Sequence, residues 1–163
     1  MPPSELASQD KPYLDRSPLA KKDFETLADF RYQIRKFLRF SEEVSRQHGL
    51  TPLQYQLLLS IKGYPGRDWA TVGELAERLQ AQHHGVVALI SRCEKQKLVQ
   101  RRRSLEDKRR MEIRVLPKGE EMLELLARLH RAELLSLQGS FAVPDARSLF
   151  HEGLPEEIEG DKA

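Results

Sequence analysis

The spacing of apolar residues changes twice along this chain, and each change narrows the folds open to it. From residue 21 to about 96, apolar side chains recur every three or four positions, the mark of helices with one buried face. Between about 98 and 116 the spacing falls to two. There Met111, Ile113 and Val115 alternate with Glu112 and Arg114, as in a half-buried strand. From Pro117 the three-four spacing returns. The pattern predicts a mainly α chain (α+β) with a small β-hairpin set inside it.

The helical parts carry their own start and stop signals. Residues 21–48 form a first helix with Leu27, Phe30, Ile34, Phe37, Leu38 and Ser41 on one face, stopped by Gly49. Thr51-Pro52-Leu53-Gln54 is a capping box with proline in the first turn. It opens a helix to about Lys62 with Leu53, Leu57, Leu58 and Ile61 inward. Gly63-Tyr64-Pro65-Gly66 breaks it, and Trp69-Ala70 is a short extended piece. A second capping box at Thr71 to Glu74 starts a helix that turns Val72, Leu75, Ala76 and Leu79 inward. A third helix, about His83 to Gln96, buries Val86, Leu89, Ile90 and Cys93. His84, Ala88, Ser91 and Lys95 fall on its opposite side.

Two short helices, the second with a free polar face, make a helix-turn-helix. The basic strand pair after them, with Lys108, Arg109 and Arg110 at its tip, completes a winged helix-turn-helix over residues 50–116. Arg101, Arg102 and Arg103 alternate along a strand and cannot all face one way. At least one is expected to turn to the helical body and meet a carboxylate. Residues 21–48 and 117–150 hold more Phe and Leu than so small a body can cover, and are read as a dimerisation layer built from the terminal helices. Residues 1–20 are read as an N-terminal arm, and 151–163 as an acidic, flexible tail.

Charge sharpens this reading. Residues 78–118 carry 12 Lys and Arg against 4 Asp and Glu, whereas 119–163 carry 4 against 10. A net +8 gathered in one segment is the field expected of a surface that binds a polyanion. The one cysteine excludes an intrachain disulfide and a cysteine-rich zinc site. His84 and Cys93 point about 180° apart and lie ~13 Å apart along one helix, so they cannot hold one metal ion. No metal, cofactor, signal peptide or membrane span is expected. No phosphate loop, nucleophile elbow or HExxH motif is present, so no enzyme is expected.

From about residue 21 to 138 the chain resembles the MarR family of bacterial winged-helix transcription regulators. Leu50-Thr51-Pro52-Leu53-Gln54-Tyr55 is similar to the family's LTxxQ helix opening, and Val72 to Ala76 to its xxxLA. Leu98-Val99-Gln100-Arg101-Arg102-Arg103-Ser104-Leu105-Glu106-Asp107-Lys108-Arg109 is similar to the wing signature LVxRxxSxxDxR, the most specific of these. Gly119 stands at the spacing of the family's closing glycine. Three residues depart from the pattern: Leu116 for a threonine cap, Lys97 for a glycine after the recognition helix, and Cys93 for a leucine.

The resemblance implies a homodimer whose recognition helices and wings address a pseudo-palindromic site on double-stranded DNA. Expected DNA contacts are Gln82, His83, His84, Ala88, Ser91 and Arg92 on the helix, and Lys108, Arg109 and Arg110 on the wing. Arg109 is the residue for the minor groove, with Lys108 and Arg110 on phosphates. Asp107 and Arg101 are expected to orient the wing, Asp107 by holding an arginine such as Arg92. A small aromatic or anionic effector is expected in a cleft lined by Tyr32, Phe37, Tyr55 and Trp69. The function so implied is that of a repressor in the bacterial cytoplasm, acting on nucleoid DNA. The competing readings are a metal- or redox-responsive regulator of the same fold and a winged helix used for protein contact.

Overall fold

A computed structural model describes residues 18–136. In chain order these form α1 (Lys21–Gln47), α2 (Pro52–Lys62), β1 (Trp69–Ala70), α3 (Val72–Arg78), α4 (His83–Lys95), β2 (Val99–Arg103), β3 (Met111–Val115) and α5 (Pro117–Ser136). The architecture is a winged helix, mostly helical with a small antiparallel sheet. No described helix is long and apolar enough to cross a membrane. Most of the expected arm at 1–20, residues 137–150 of the expected dimerisation layer and the acidic tail lie outside the described residues.

The chain divides into two compact units, Lys36–Gln138 being one. The described part of the other is residues 18–35, which include the first half of α1. Of the stripe read as buried, Leu27 is exposed here while Phe30 and Ile34 are half-buried; Phe24 and Tyr32, outside the stripe, are exposed as well.

In the larger unit both predicted capping boxes form. The Thr51 hydroxyl accepts from the Gln54 amide at 3.2 Å while Gln54 Oε1 accepts from the Thr51 amide at 2.9 Å. Thr71 and Glu74 do the same for α3. Each box satisfies amides that a helix start leaves without intrahelical partners. The core joins Leu57, Leu58 and Ile61 of α2, Leu75 of α3, Val86, Ile90 and Cys93 of α4, Leu98, Val99 and Ile113 of the wing base, and Leu126 of α5. Leu53 is half exposed, because it points into a surface cleft rather than to the core.

The sheet is larger than the expected hairpin. Its order is β1-β3-β2, with Trp69 opposite Arg114 and Ala70 opposite Ile113. Strand β2 pairs with β3 from Val99↔Val115 to Arg103↔Met111. The alternation along β3 is broken at Glu112, which is buried where a solvent-facing residue was expected. Arg114 compensates it at 3.0 Å. At the other end of the wing base, Gly119 is demanded by contact: a Cβ there would stand 2.3 Å from the Leu98 carbonyl oxygen.

Candidate nucleic-acid interface

Helix α4 presents the polar face its spacing predicts. Gln82, at the helix N-cap, makes no side-chain capping bond, and Gln82, His83, His84, Gly85 and Ala88 are exposed. Val86, Leu89, Ile90 and Cys93 lock the other face into the core. The helix therefore has a fixed rotation about its axis. Its first two turns offer hydrogen-bonding rings and amides beside small residues.

Ser91 is committed elsewhere. Its hydroxyl donates to the Val87 carbonyl at 3.0 Å and accepts from Arg101 Nη2 at 3.1 Å. Arg92 is exposed and makes no ion pair among the described residues, so the pairing with Asp107 is not formed. Asp107 instead accepts from the Arg109 backbone amide at 3.0 Å, while its carbonyl accepts from the Arg110 amide at 2.9 Å. The aspartate shapes the turn of the wing tip rather than holding an arginine side chain.

The six basic side chains of the wing from Arg101 to Arg110 divide by their partners. Lys108 and Arg109 are exposed and carry no ion pair among the described residues. Arg110, expected on phosphate, turns back: it donates to the Ser104 hydroxyl at 3.1 Å and Glu106 at 3.4 Å, and lies 4.6 Å from the Trp69 ring centroid. Arg101 is the strand arginine that meets the helical body. It pairs with Glu94 and donates to the Val87 carbonyl at 3.2 Å. Arg102 and Arg103 are exposed.

The end of α4 shows how the missing glycine is replaced. Lys97 adopts φ 59°, the left-handed region, and the Leu98 amide reaches the Cys93 carbonyl at 2.9 Å. Lys118 Nζ donates to the Gln96 carbonyl at 3.1 Å. A lysine thus supplies the conformation usually left to glycine, and a second lysine satisfies an end carbonyl.

Of the aromatic residues expected in a ligand cleft, Phe37 and Tyr55 meet at one imidazole, in the core. Tyr55 is buried and stacks on His130 at 4.5 Å between centroids; Phe37 meets the same imidazole edge-on at 6.2 Å. Trp69 lies instead among arginines, and Tyr32 is exposed on α1. Aromatic spacing along a helix could not separate a core cage from a pocket. A different cleft, of about 820 Å³, opens between the α1–α2 corner and α4. Leu50, Pro52, Leu53 and Leu89 form its apolar wall, and Arg46, Arg92 and Lys95 stand on it. Glu94, Arg67 and the buried Glu112 were missed in the sequence; only the seven-residue offset from Glu94 to Arg101, across a turn, hinted at the first.

Comparison with known proteins agrees with this geometry. Residues 48–110 match the model of the MarR family. A MarR family protein from Bacillus stearothermophilus superposes with a TM-score of 0.64 at 24% identity, covering 77% of this chain and 86% of that one. AbsC, a MarR family transcriptional regulator from Streptomyces coelicolor, gives 0.65 at 20% identity, covering 78% and 86%. A mutant of MepR from Staphylococcus aureus, solved bound to an oligodeoxyribonucleotide, gives 0.56 at 21% identity, covering 69% and 81%. A search of curated proteins returns no match.

Proposed function

We propose, for a chain that carries a MarR-family winged helix over residues 48–110, that it is a homodimeric repressor of transcription. It reads a pseudo-palindromic duplex in the bacterial cytoplasm. The observation that carries this reading is the pairing of two uncommitted surfaces: the exposed start of α4, at Gln82, His83, His84 and Ala88, and the exposed Lys108 and Arg109 at the wing tip. A helix of this kind fits a major groove, and a guanidinium fits a narrow, electronegative minor groove. The exposure of Arg92, Arg102 and Arg103 supports phosphate contacts for them.

Dimerisation is supported by the apolar side chains left in solvent on both terminal helices, among them Phe24, Leu27 and Leu38 on α1 and Leu125, Leu134 and Leu135 on α5. Two copies supply the two half-sites. For an effector, the cleft beside α4 is the better candidate than the aromatic set. Its apolar wall and three cations suit a small organic anion, and Arg92 belongs to both cleft and recognition helix. An anion bound there competes with DNA for that side chain.

The test is selection of a bound duplex from random DNA, followed by titration at several salt concentrations. A dimer that neutralises ~8 phosphates gives a slope of log K against log salt of about −7. Arg109→Ala is expected to weaken binding by about 1–3 kcal/mol. No retention of any duplex at low salt would favour the protein-contact reading instead.

A further inference from the structure

We propose that Trp69 is a positioning residue for the wing, fixing where Arg109 stands with respect to α4. The inference rests on the DNA-binding reading above and adds to it a residue that touches no DNA.

Five side chains from separate parts of the winged helix alternate cation and ring. Arg78, at the end of α3, lies 4.4 Å from the Tyr64 centroid, and Arg67 lies 4.1 Å from the same ring. Arg67 also lies 3.8 Å from the Trp69 centroid, and Arg110 lies 4.6 Å from it. All four distances are within the range where a guanidinium is attracted to a ring face. The Nε atoms of Arg67 and Arg110 are buried with no hydrogen-bond partner, so the ring faces stand in for one. Arg67 is further held by Glu74, the residue that closes the capping box of α3. The chain of contacts therefore runs from the first helix of the helix-turn-helix to the wing tip.

Beside Trp69, Arg110 has only polar partners, Ser104, Glu106 and Glu112, and the tip has no apolar anchor of its own. Leu105 is 83% exposed, and no apolar side chain between Ser104 and Arg110 is buried. At the base, Arg101 fastens β2 to α4, but that contact lies several residues from the tip. Arg110 follows Arg109 directly, so anchoring the Arg110 side chain on Trp69 limits where the Arg109 backbone can stand. Without the anchor the tip pivots about the strand pair, and Arg109 must be ordered at the moment of binding, at an entropic cost.

The full chain is tested on a 30-base-pair mixed-sequence duplex at low salt, by fluorescence anisotropy. Trp69→Leu is expected to weaken binding about three- to tenfold, the effect of losing a partly exposed cation–ring contact. Trp69→Phe keeps a ring face and is expected to restore most of the affinity. In an Arg109→Ala background Trp69→Leu is expected to cost nothing further, because there is no contact left to position. Should Trp69→Leu fail to fold by circular dichroism, Arg110→Met removes the cation and leaves the ring, and its loss is likewise expected to vanish in the Arg109→Ala background. Unchanged binding of the folded variants, or a loss that simply adds to that of Arg109→Ala, overturns the positioning role. Unchanged binding of Arg109→Ala alone overturns the reading of the wing itself, a result separable from the other two.

Discussion

Arg101 and Glu94 lock the wing to α4. The guanidinium pairs with the Glu94 carboxylate, whose other oxygen accepts from the Arg101 backbone amide at 2.8 Å. Both side chains are about seven-tenths covered, so each would be costly to leave without the other. Arg101→Met keeps the aliphatic stem and strands the carboxylate. The variant is expected to lose about 1–2 kcal/mol of stability, read as a lower urea midpoint at neutral pH. An unchanged midpoint would show that solvent replaces the pair without cost.

This contact also marks how far the sequence could be read. The helices, the wing and their order were legible because each rests on a local signal: a capping box, a three-four stripe or a two-residue alternation. That some strand arginine turns inward followed from the pleat alone. Which one, and toward which carboxylate, depends on tertiary placement. For the same reason Arg110 was grouped with Lys108 and Arg109 as one basic run, although Trp69 draws it back. Trp69 itself joins the sheet as a third strand two residues long, too short to show a period. Glu112 hides on the buried side because Arg114 and Arg110 neutralise it, a pairing no spacing rule reveals.

Lys97 and Gly119 make opposite predictions from the same backbone logic. Lys97 holds φ 59°, where a Cβ crowds the carbonyl oxygen, and its side chain makes no ion pair among the described residues. Lys97→Gly is expected to raise stability by about 1 kcal/mol, seen as a higher melting temperature. Gly119→Ala places a methyl group against the Leu98 carbonyl and Val115 Cγ1. The helix start must move off the wing base, and a loss of about 1–3 kcal/mol is expected. A neutral Gly119→Ala would mean that α5 enters the fold differently.

Glu74 gives the protein an acid sensitivity with a defined sign. Burial pushes its carboxyl up, but hydrogen bonds from the Thr71 amide, Arg67 and the Thr71 hydroxyl outweigh it and hold the group at about 2 against an ordinary 4.5. A carboxyl depressed in the folded state contributes stability that is complete above its unfolded value and is lost as pH falls through the folded one. The contribution of Glu74 is therefore expected to fade between pH 4.5 and about 2. Glu74→Gln is expected to be less stable than the parent at pH 7 and to close the gap across that window. Parallel stability curves for the two proteins down to pH 2 would contradict the assignment.

Cys93 is expected to be unreactive in the folded protein, because of where it sits. Its side chain is fully buried on the core face of α4, and burial pushes the thiol up to about 11, against weaker opposing effects of Gln54 and Arg92. A thiolate is the reactive form, so a neutral thiol packed in the core offers an oxidant neither charge nor access. Incubated with a disulfide reagent at pH 8, the folded protein is expected to label only as fast as it unfolds, and at once in urea. Duplex affinity is expected to be the same before and after mild peroxide treatment. Fast labelling of the folded state, together with a peroxide-dependent loss of affinity, would favour a redox-responsive regulator of the same fold.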